Sequence, residues 1–425
     1  MSILLKNATY IDWESLEFTH ADILVKEGIN GGIRLLPPGK AIELPSGHQT
    51  LDCSGKLVTK AFAIGHHHVY SALARGMPPP KNPIRNFREK LQYIWWALDK
   101  CLDEDMIYYS ALVTAMAAAK AGSTFVIDHH ASPNHIEGSL EIIAEAFEQV
   151  GVGHLLCYEV TDRNGKKGSK QGLEETIRYL KKRQGLVGLH ASFTVGDDTL
   201  GRAAKLMKSY KAGVHVHVAE DLYDQEHCLQ QYSKRVMQRW HDAGLLNSPK
   251  TILVHGLHLD MVERELFRNS PCWMVQNMES NLNNNVGHFN SEGLGDRIML
   301  GTDGMHSDML QSAKAAYFAG KAFANISFQD AYARFRNVHR YLSDNGFSGD
   351  GNNNLVVLDY DSPTGINQNN FVAHFLYGLN ASHVCDVLSD GKLVVKNRNI
   401  LSLDQEAILE KARKQATRLW DKISA

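Results

Sequence analysis

The strongest constraint on this chain is Ala61-Phe62-Ala63-Ile64-Gly65-His66-His67-His68, an apolar run that stops abruptly in three histidines. An apolar strand that buries itself and delivers imidazoles at its end suits a metal site, because imidazole is a good ligand for Zn, Fe, Ni and Cu. Successive side chains of an extended chain point to opposite faces, so His66 and His68 share one side and His67 faces the other. Two ligands thus come from one strand end. A catalytic ion wants three or four protein ligands and an open position for water, so the rest of the chain must supply the others.

The pattern around this segment predicts an α/β fold. Downstream, short apolar strands alternate with amphipathic helices. The strands are expected at Ser123–His130, Gly153–Val160, Leu186–His190, Val214–Val218, Thr251–His255, Cys272–Gln276 and Arg297–Leu300. Helices are expected at Asp103–Ala121, Leu140–Val150, Leu173–Lys182, Asp198–Tyr210 and Asp221–Ala243. From His66 to Gly301 about eight strands fit, the number that closes a (β/α)8 TIM barrel. Upstream, Ile3–Tyr10, Ala21–Lys26, Ile33–Leu36 and Ala41–Leu44 read as short strands, and similar ones return in 354–359 and 390–395. Edge strands need partners, so both chain ends are expected to build a small β-sandwich. The boundaries read as sandwich 1–58, barrel 59–349, sandwich 350–402 and a charged helix over 403–425, with the turn cluster 345–354 returning the chain from barrel to sandwich.

Composition excludes some functions. Lys+Arg total 45 against Asp+Glu 47, a formal charge of −2, so neither nucleic acid nor an anionic membrane is the expected partner. The N-terminal apolar run is too short for a signal-peptide core, and no stretch reaches the length of a membrane span. Cys53, Cys101, Cys157, Cys228, Cys272 and Cys385 are widely spaced with no Cys-x-x-Cys pair, which fits a reducing cytoplasm. Pro271-Cys272-Trp273-Met274 lacks the second cysteine of the Pro-Cys-x-x-Cys motif, so the cytidine-deaminase fold is ruled out. The 21 histidines are the one compositional excess.

The chemistry of a barrel sits at the C-terminal ends of its strands. The last residues of the expected strands are His66 and His68, His130, His190, His217, His255 and Asp303. Glu220 follows His217 by three residues, and Asp303 lies in the turn Gly301-Thr302-Asp303-Gly304. Trp95-Trp96 read as helix packing. Asn281 and Asn283-Asn284-Asn285 read as turn formers after the seventh strand.

His-x-His after an apolar strand, His-x-x-Glu midway, a lone His after Leu253-Val254, and Gly-Thr-Asp-Gly near the end resemble the amidohydrolase superfamily in its mononuclear deaminase and chlorohydrolase branch. Asp128 to Pro133, Ala219 to Asp224 and Ser280 to Gly287 are similar, more narrowly, to the SsnA-type aminohydrolases. The resemblance implies that His66, His68, His217 and Asp303 hold one divalent metal ion, zinc by preference and iron as second choice. It implies Glu220 as proton shuttle, His255 as the residue orienting the attacking water, with Asp303 sharing that water's proton, and His190 and His130 as substrate contacts. His67 falls outside this ligand set. The chain departs from the family at Lys60-Ala61, where Pro-Gly is usual, and at Ser192, where Pro is usual. The reaction so implied is hydrolysis of a C–N bond in a purine- or pyrimidine-like small molecule, with self-association into a homo-oligomer compatible. Cyclic-amide ring opening, hydrolytic dechlorination in the same site, and a non-catalytic metal-binding subunit are the alternatives.

Overall fold

The computed structural model describes residues 2–39 and 47–424. The expected strand at Ala41–Leu44 lies outside the described residues. The chain opens with β1 (Ser2–Ile11) and β2 (Phe18–Lys26), antiparallel with Leu4 opposite Leu24, followed by β3 (Ile33–Leu36), β4 (Gln49–Asp52) and β5 (Leu57–Lys60). Both β4 and β5 run parallel to β1, and neither was anticipated as a separate strand.

Eight parallel strands follow: β6 (Phe62–His67), β7 (Ser123–His130), β8 (Gly153–Tyr158), β9 (Val187–Leu189), β10 (Val214–Val218), β11 (Ile252–His255), β12 (Trp273–Gln276) and β13 (Ile298–Leu300). They are hydrogen-bonded as β6-β7-β8 and as β9-β10-β11-β12-β13. Isolated parallel bridges join the two groups at both seams: Leu156 to Gly185 and Val160 to Leu189 on one side, His67 to Asp303 on the other. Ala63, Phe125, Ile127, Leu155, Cys157, Val254, Val275 and Met299 pack into one interior cluster, whereas the alternate residues Ile64, Val126, Leu156 and Val216 pack against the helices. Burial on both faces explains why these strands read as nearly continuous apolar runs.

The chain then returns through β14 (Leu355–Leu358), β15 (Val384–Ser389), β16 (Lys392–Lys396) and β17 (Asn399–Ile400). Because β14 lies antiparallel on β5, the two chain ends share one nine-stranded sheet. The unusual Lys60 ties this seam. It is buried, donates from Nζ to the carbonyls of Asp350 and Gly351 at 2.9 and 3.0 Å, and lies 3.4 Å from the Asp350 carboxylate, which also accepts from His339 Nδ1 at 2.8 Å. The turn cluster expected to carry the return is thus anchored.

Several helices differ from expectation in extent. Glu104–Lys120 is capped by Asp103, whose side chain accepts from the Met106 amide. The helix on Leu173 starts earlier, at Gly165, and ends at Leu180. The single helix expected over Asp221–Ala243 is two, Leu222–Tyr232 and Val236–Asp242, because Ser233 takes the left-handed conformation at φ 53° and ends the first. The terminal helix runs Gln405–Ser424.

Candidate active site

The end of β6 sends its histidines to two sides, as strand alternation requires. His67 turns outward, with Nε2 3.1 Å from Ser307 Oγ and Nδ1 3.8 Å from Asp128, while His66 and His68 turn inward toward His217. The hydrogen bonds of the inward set fix which ring nitrogens are free. His68 Nδ1 donates to the His129 carbonyl at 2.6 Å and His217 Nδ1 to the His190 carbonyl at 3.0 Å. Their Nε2 atoms therefore carry lone pairs, yet they face each other at 3.2 Å. Two lone pairs at that distance repel unless a cation lies between them. His66 Nε2 is buried with no hydrogen-bond partner, and its Nδ1 is engaged by His215 Nε2 at 2.9 Å. Asp303 Oδ1 completes the cluster at 3.7 Å from His66 Nε2 and 3.3 Å from His68 Nε2. Three imidazole lone pairs and one carboxylate oxygen form a donor set suited to a divalent metal.

The electrostatics agree with that geometry. Burial alone would raise the Asp303 carboxyl, but the imidazoles of His66, His68 and His255 around it hold it well below the usual range. Glu220 behaves oppositely. Burial and the neighbouring Asp303 charge push its carboxyl well above the ordinary value, so it holds its proton to higher pH than a free carboxyl. His255 Nε2 lies 3.4 Å from Glu220 Oε2 and 3.9 Å from Asp303 Oδ2. The Asn281 amide donates to His255 Nδ1 at 2.9 Å, which leaves the ring proton on Nε2, facing both carboxylates. Burial lowers His255 to about 4, so the ring is neutral. Asn284 reaches Glu220 Oε1 at 3.4 Å. Asn281 and Asn284 thus orient side chains of the cluster rather than only turning the chain; the segment is a short helix, Met278–Asn284, whose inner face meets β11.

Backbone strain gathers here as well. Ala219, His255 and Asp303 all take left-handed φ values of 47°, 73° and 50° at the ends of β10, β11 and β13. Such conformations cost roughly 1–2 kcal/mol each for residues with a Cβ. They are held by bonds such as Ala219 amide to Asp224 Oδ2 at 2.9 Å and Asp303 amide to His66 carbonyl at 3.2 Å.

A cavity opens over this cluster and is walled by Phe87, Tyr70, Trp95 and Trp96. The two tryptophans, read from sequence as helix packing, are half-buried and face the cavity, because the helical segment 87–101 lies over the strand ends that carry the cluster. His190 lines the cavity, with burial lowering it to about 4. His130 does not line it. Its Nε2 is 3.0 Å from Ser132 Oγ, and its ring packs on Tyr70 and Tyr158. The inward residue of this strand end is His129, because Phe125, Ile127 and His129 share a face. One strand over, the same phase brings Glu159 inward, and its Oε2 lies 3.1 Å from His129 Nδ1. Sequence reasoning missed His129, His215 and Glu159. Counting twos from the buried residues Leu155 and Cys157 would have found Glu159.

Residues 64–340, well over half the chain, match the amidohydrolase family model. The chain belongs to the amidohydrolase family. Among similar relatives, a 5-methylthioadenosine/S-adenosylhomocysteine deaminase of Syntrophomonas wolfei is 26% identical, covering 99% of this chain and 100% of its own length. A 5′-deoxyadenosine deaminase of Methanopyrus kandleri is 26% identical over 83% of this chain and 84% of its own. An adenosine deaminase from Xanthomonas campestris with bound zinc superposes with a TM-score of 0.83 at 18% identity, covering 98% of each chain. The atrazine chlorohydrolase of Arthrobacter aurescens, complexed with zinc, gives 0.81 at 15% identity over 97% of this chain and all of its own. In this amidohydrolase the His and Asp cluster is a donor set that could hold a divalent metal ion.

Proposed function

We propose that the protein is a metal-dependent aminohydrolase that removes an amino group from a purine- or pyrimidine-like heterocycle. The observation that carries the reading is the approach of two Nε2 lone pairs at 3.2 Å, with a raised carboxyl and a neutral imidazole beside them. His66, His68, His217 and Asp303 would hold one divalent ion, zinc in preference to iron. Such an ion supplies water activated to a pKa of about 7. The remaining steps belong to the protein. Glu220 takes the water's proton and delivers it to the departing nitrogen, which cannot leave as an anion; this role is worth roughly 10²- to 10⁴-fold. His255 Nε2–H donates to the oxygen that adds to the ring carbon, in the orientation Asn281 imposes. Asp303, lowered by its histidines, shares the water's proton through its second oxygen. His190 meets the substrate in the cavity, and Trp95 and Trp96 flank a planar ring.

The fold reading that goes with this function is a closed (β/α)8 barrel over 59–349. The nine-stranded sheet curls into a sandwich from 1–58 and 350–402, and 403–425 forms the covering helix. Six free cysteines suit a cytoplasmic setting. The deaminase names of the relatives favour nitrogen as leaving group, and the retained Glu220 supports the same choice over chloride. The test is ammonia release by zinc-loaded protein across adenosine-type, guanine-type and cytosine-type compounds, with a chlorotriazine as control. Release from at least one amino heterocycle is expected. Chloride release from the triazine with no ammonia from any of them would overturn the reading.

A further inference from the structure

The proposed mechanism uses Glu220 and Asp303 but leaves a third carboxylate in the same cavity without work. Glu159 stands immediately after β8, is 3% exposed, and lines the cavity within 4.8 Å of ring nitrogens of His190 and His217. Its Oε2 is engaged by His129 Nδ1 at 3.1 Å, and no group among the described residues bonds Oε1.

The proton count of this pair decides what Oε1 can do. His129 Nε2 lies 3.1 Å from two carbonyl oxygens, those of Leu189 and His215, so Nε2 carries a proton. The Nδ1 to Oε2 contact then holds one more proton, placed on either partner. In both arrangements Oε1 only accepts. An acceptor opening on a substrate cavity bonds water when the cavity is empty, and a ligand that displaces that water loses affinity unless it supplies a donor.

The rest of the wall sharpens the requirement. Asp99, Glu159, Glu220 and Asp303 line the cavity, and Arg88 lines the adjoining cleft that shares His190, His217 and Glu220 with it. Asp99 is paired with Arg163 behind the wall. An N–H edge of the substrate at this wall would therefore meet an acceptor.

We propose that Glu159 is a specificity-determining residue that accepts an N–H from a second amino group on the substrate ring, so that polyamino heterocycles are preferred over mono-amino ones. This deepens the aminohydrolase reading and rests on it for the identity of the cavity. Zinc-loaded Glu220→Gln protein, in which turnover is slowed roughly 10²- to 10⁴-fold, is titrated with two matched pairs: 2,6-diaminopurine against adenine, and melamine against 2-amino-1,3,5-triazine. The polyamino member of each pair binds about 10-fold tighter or better, as expected of a hydrogen bond to a charged acceptor. Adding Glu159→Gln brings both ratios close to one while zinc content stays. Equal affinities within both pairs overturn the proposal without reference to any Glu159 variant, and so do ratios that survive Glu159→Gln. If the preference is present and wild-type protein releases no ammonia from any ligand, the aminohydrolase reading fails and the role of Glu159 stands. If ammonia is released as readily from mono-amino as from polyamino rings, the role of Glu159 fails and the aminohydrolase reading stands.

Discussion

At the residue scale the site depends on which face of a strand a side chain takes. At β6 the alternation is legible because the run His66-His67-His68 is uninterrupted, and the structure sends His67 away from the other two. At β7 the same rule selects His129 over His130, but two adjacent histidines give no phase by themselves. Only the buried partners Phe125 and Ile127 set it, and both faces of the strand are apolar. Asn281 was equally illegible, since an asparagine in a turn-rich segment has a local explanation and its bond to His255 is made across 26 residues. Its role predicts a separable effect. Asn281→Leu removes the donor that keeps the His255 proton on Nε2, so kcat should drop roughly 10- to 100-fold with metal content unchanged. Metal analysis beside steady-state kinetics checks this, and unchanged kcat would return Asn281 to a purely structural role.

At the scale of elements, strand ends were read well and helix ends less so. An apolar run terminating in a polar residue marks where β7, β11 and β12 stop, whereas the early start at Gly165 and the break at Ser233 depend on caps that sequence periodicity does not encode. The close fit between β6 and β13 makes a prediction. Gly301 follows β13, and a Cβ there would lie 2.4 Å from Asn277 Oδ1 and 2.9 Å from His66 Cβ. Gly301→Ala must displace His66, so metal affinity should fall at least about 10-fold, with β13 and the rest of the fold retained. Competition with a chelating dye measures it, and wild-type affinity would show that the seam yields elsewhere.

At the scale of the whole molecule, pairing of the two chain ends was legible because isolated edge strands require partners. The form of that pairing was not. Lys60, which breaks the expected Pro-Gly, is part of the seam, together with Asp350 and His339, nearly 300 residues away in sequence. Burial lowers His339 to about 4 despite Asp350 beside it, against about 6.5 in the unfolded chain. Between those values the unfolded chain binds a proton that the folded chain refuses, so folding weakens as pH falls, by about 1.4 kcal/mol per pH unit from this group. Wild type should therefore lose stability from pH 6.5 to 4 more steeply than His339→Gln, as read from urea midpoints. Parallel slopes would contradict the assignment.

The central claim is one metal-activated water whose proton Glu220 carries to nitrogen. Glu220→Gln keeps size and hydrogen bonding but deletes the transferable proton. The most direct measurement combines metal content per chain with ammonia release for wild type and Glu220→Gln on the same substrate. The account predicts one metal ion per chain in both proteins and a fall in turnover of roughly 10²- to 10⁴-fold in the variant. Two ions per chain, or a variant as fast as the wild type, would contradict it.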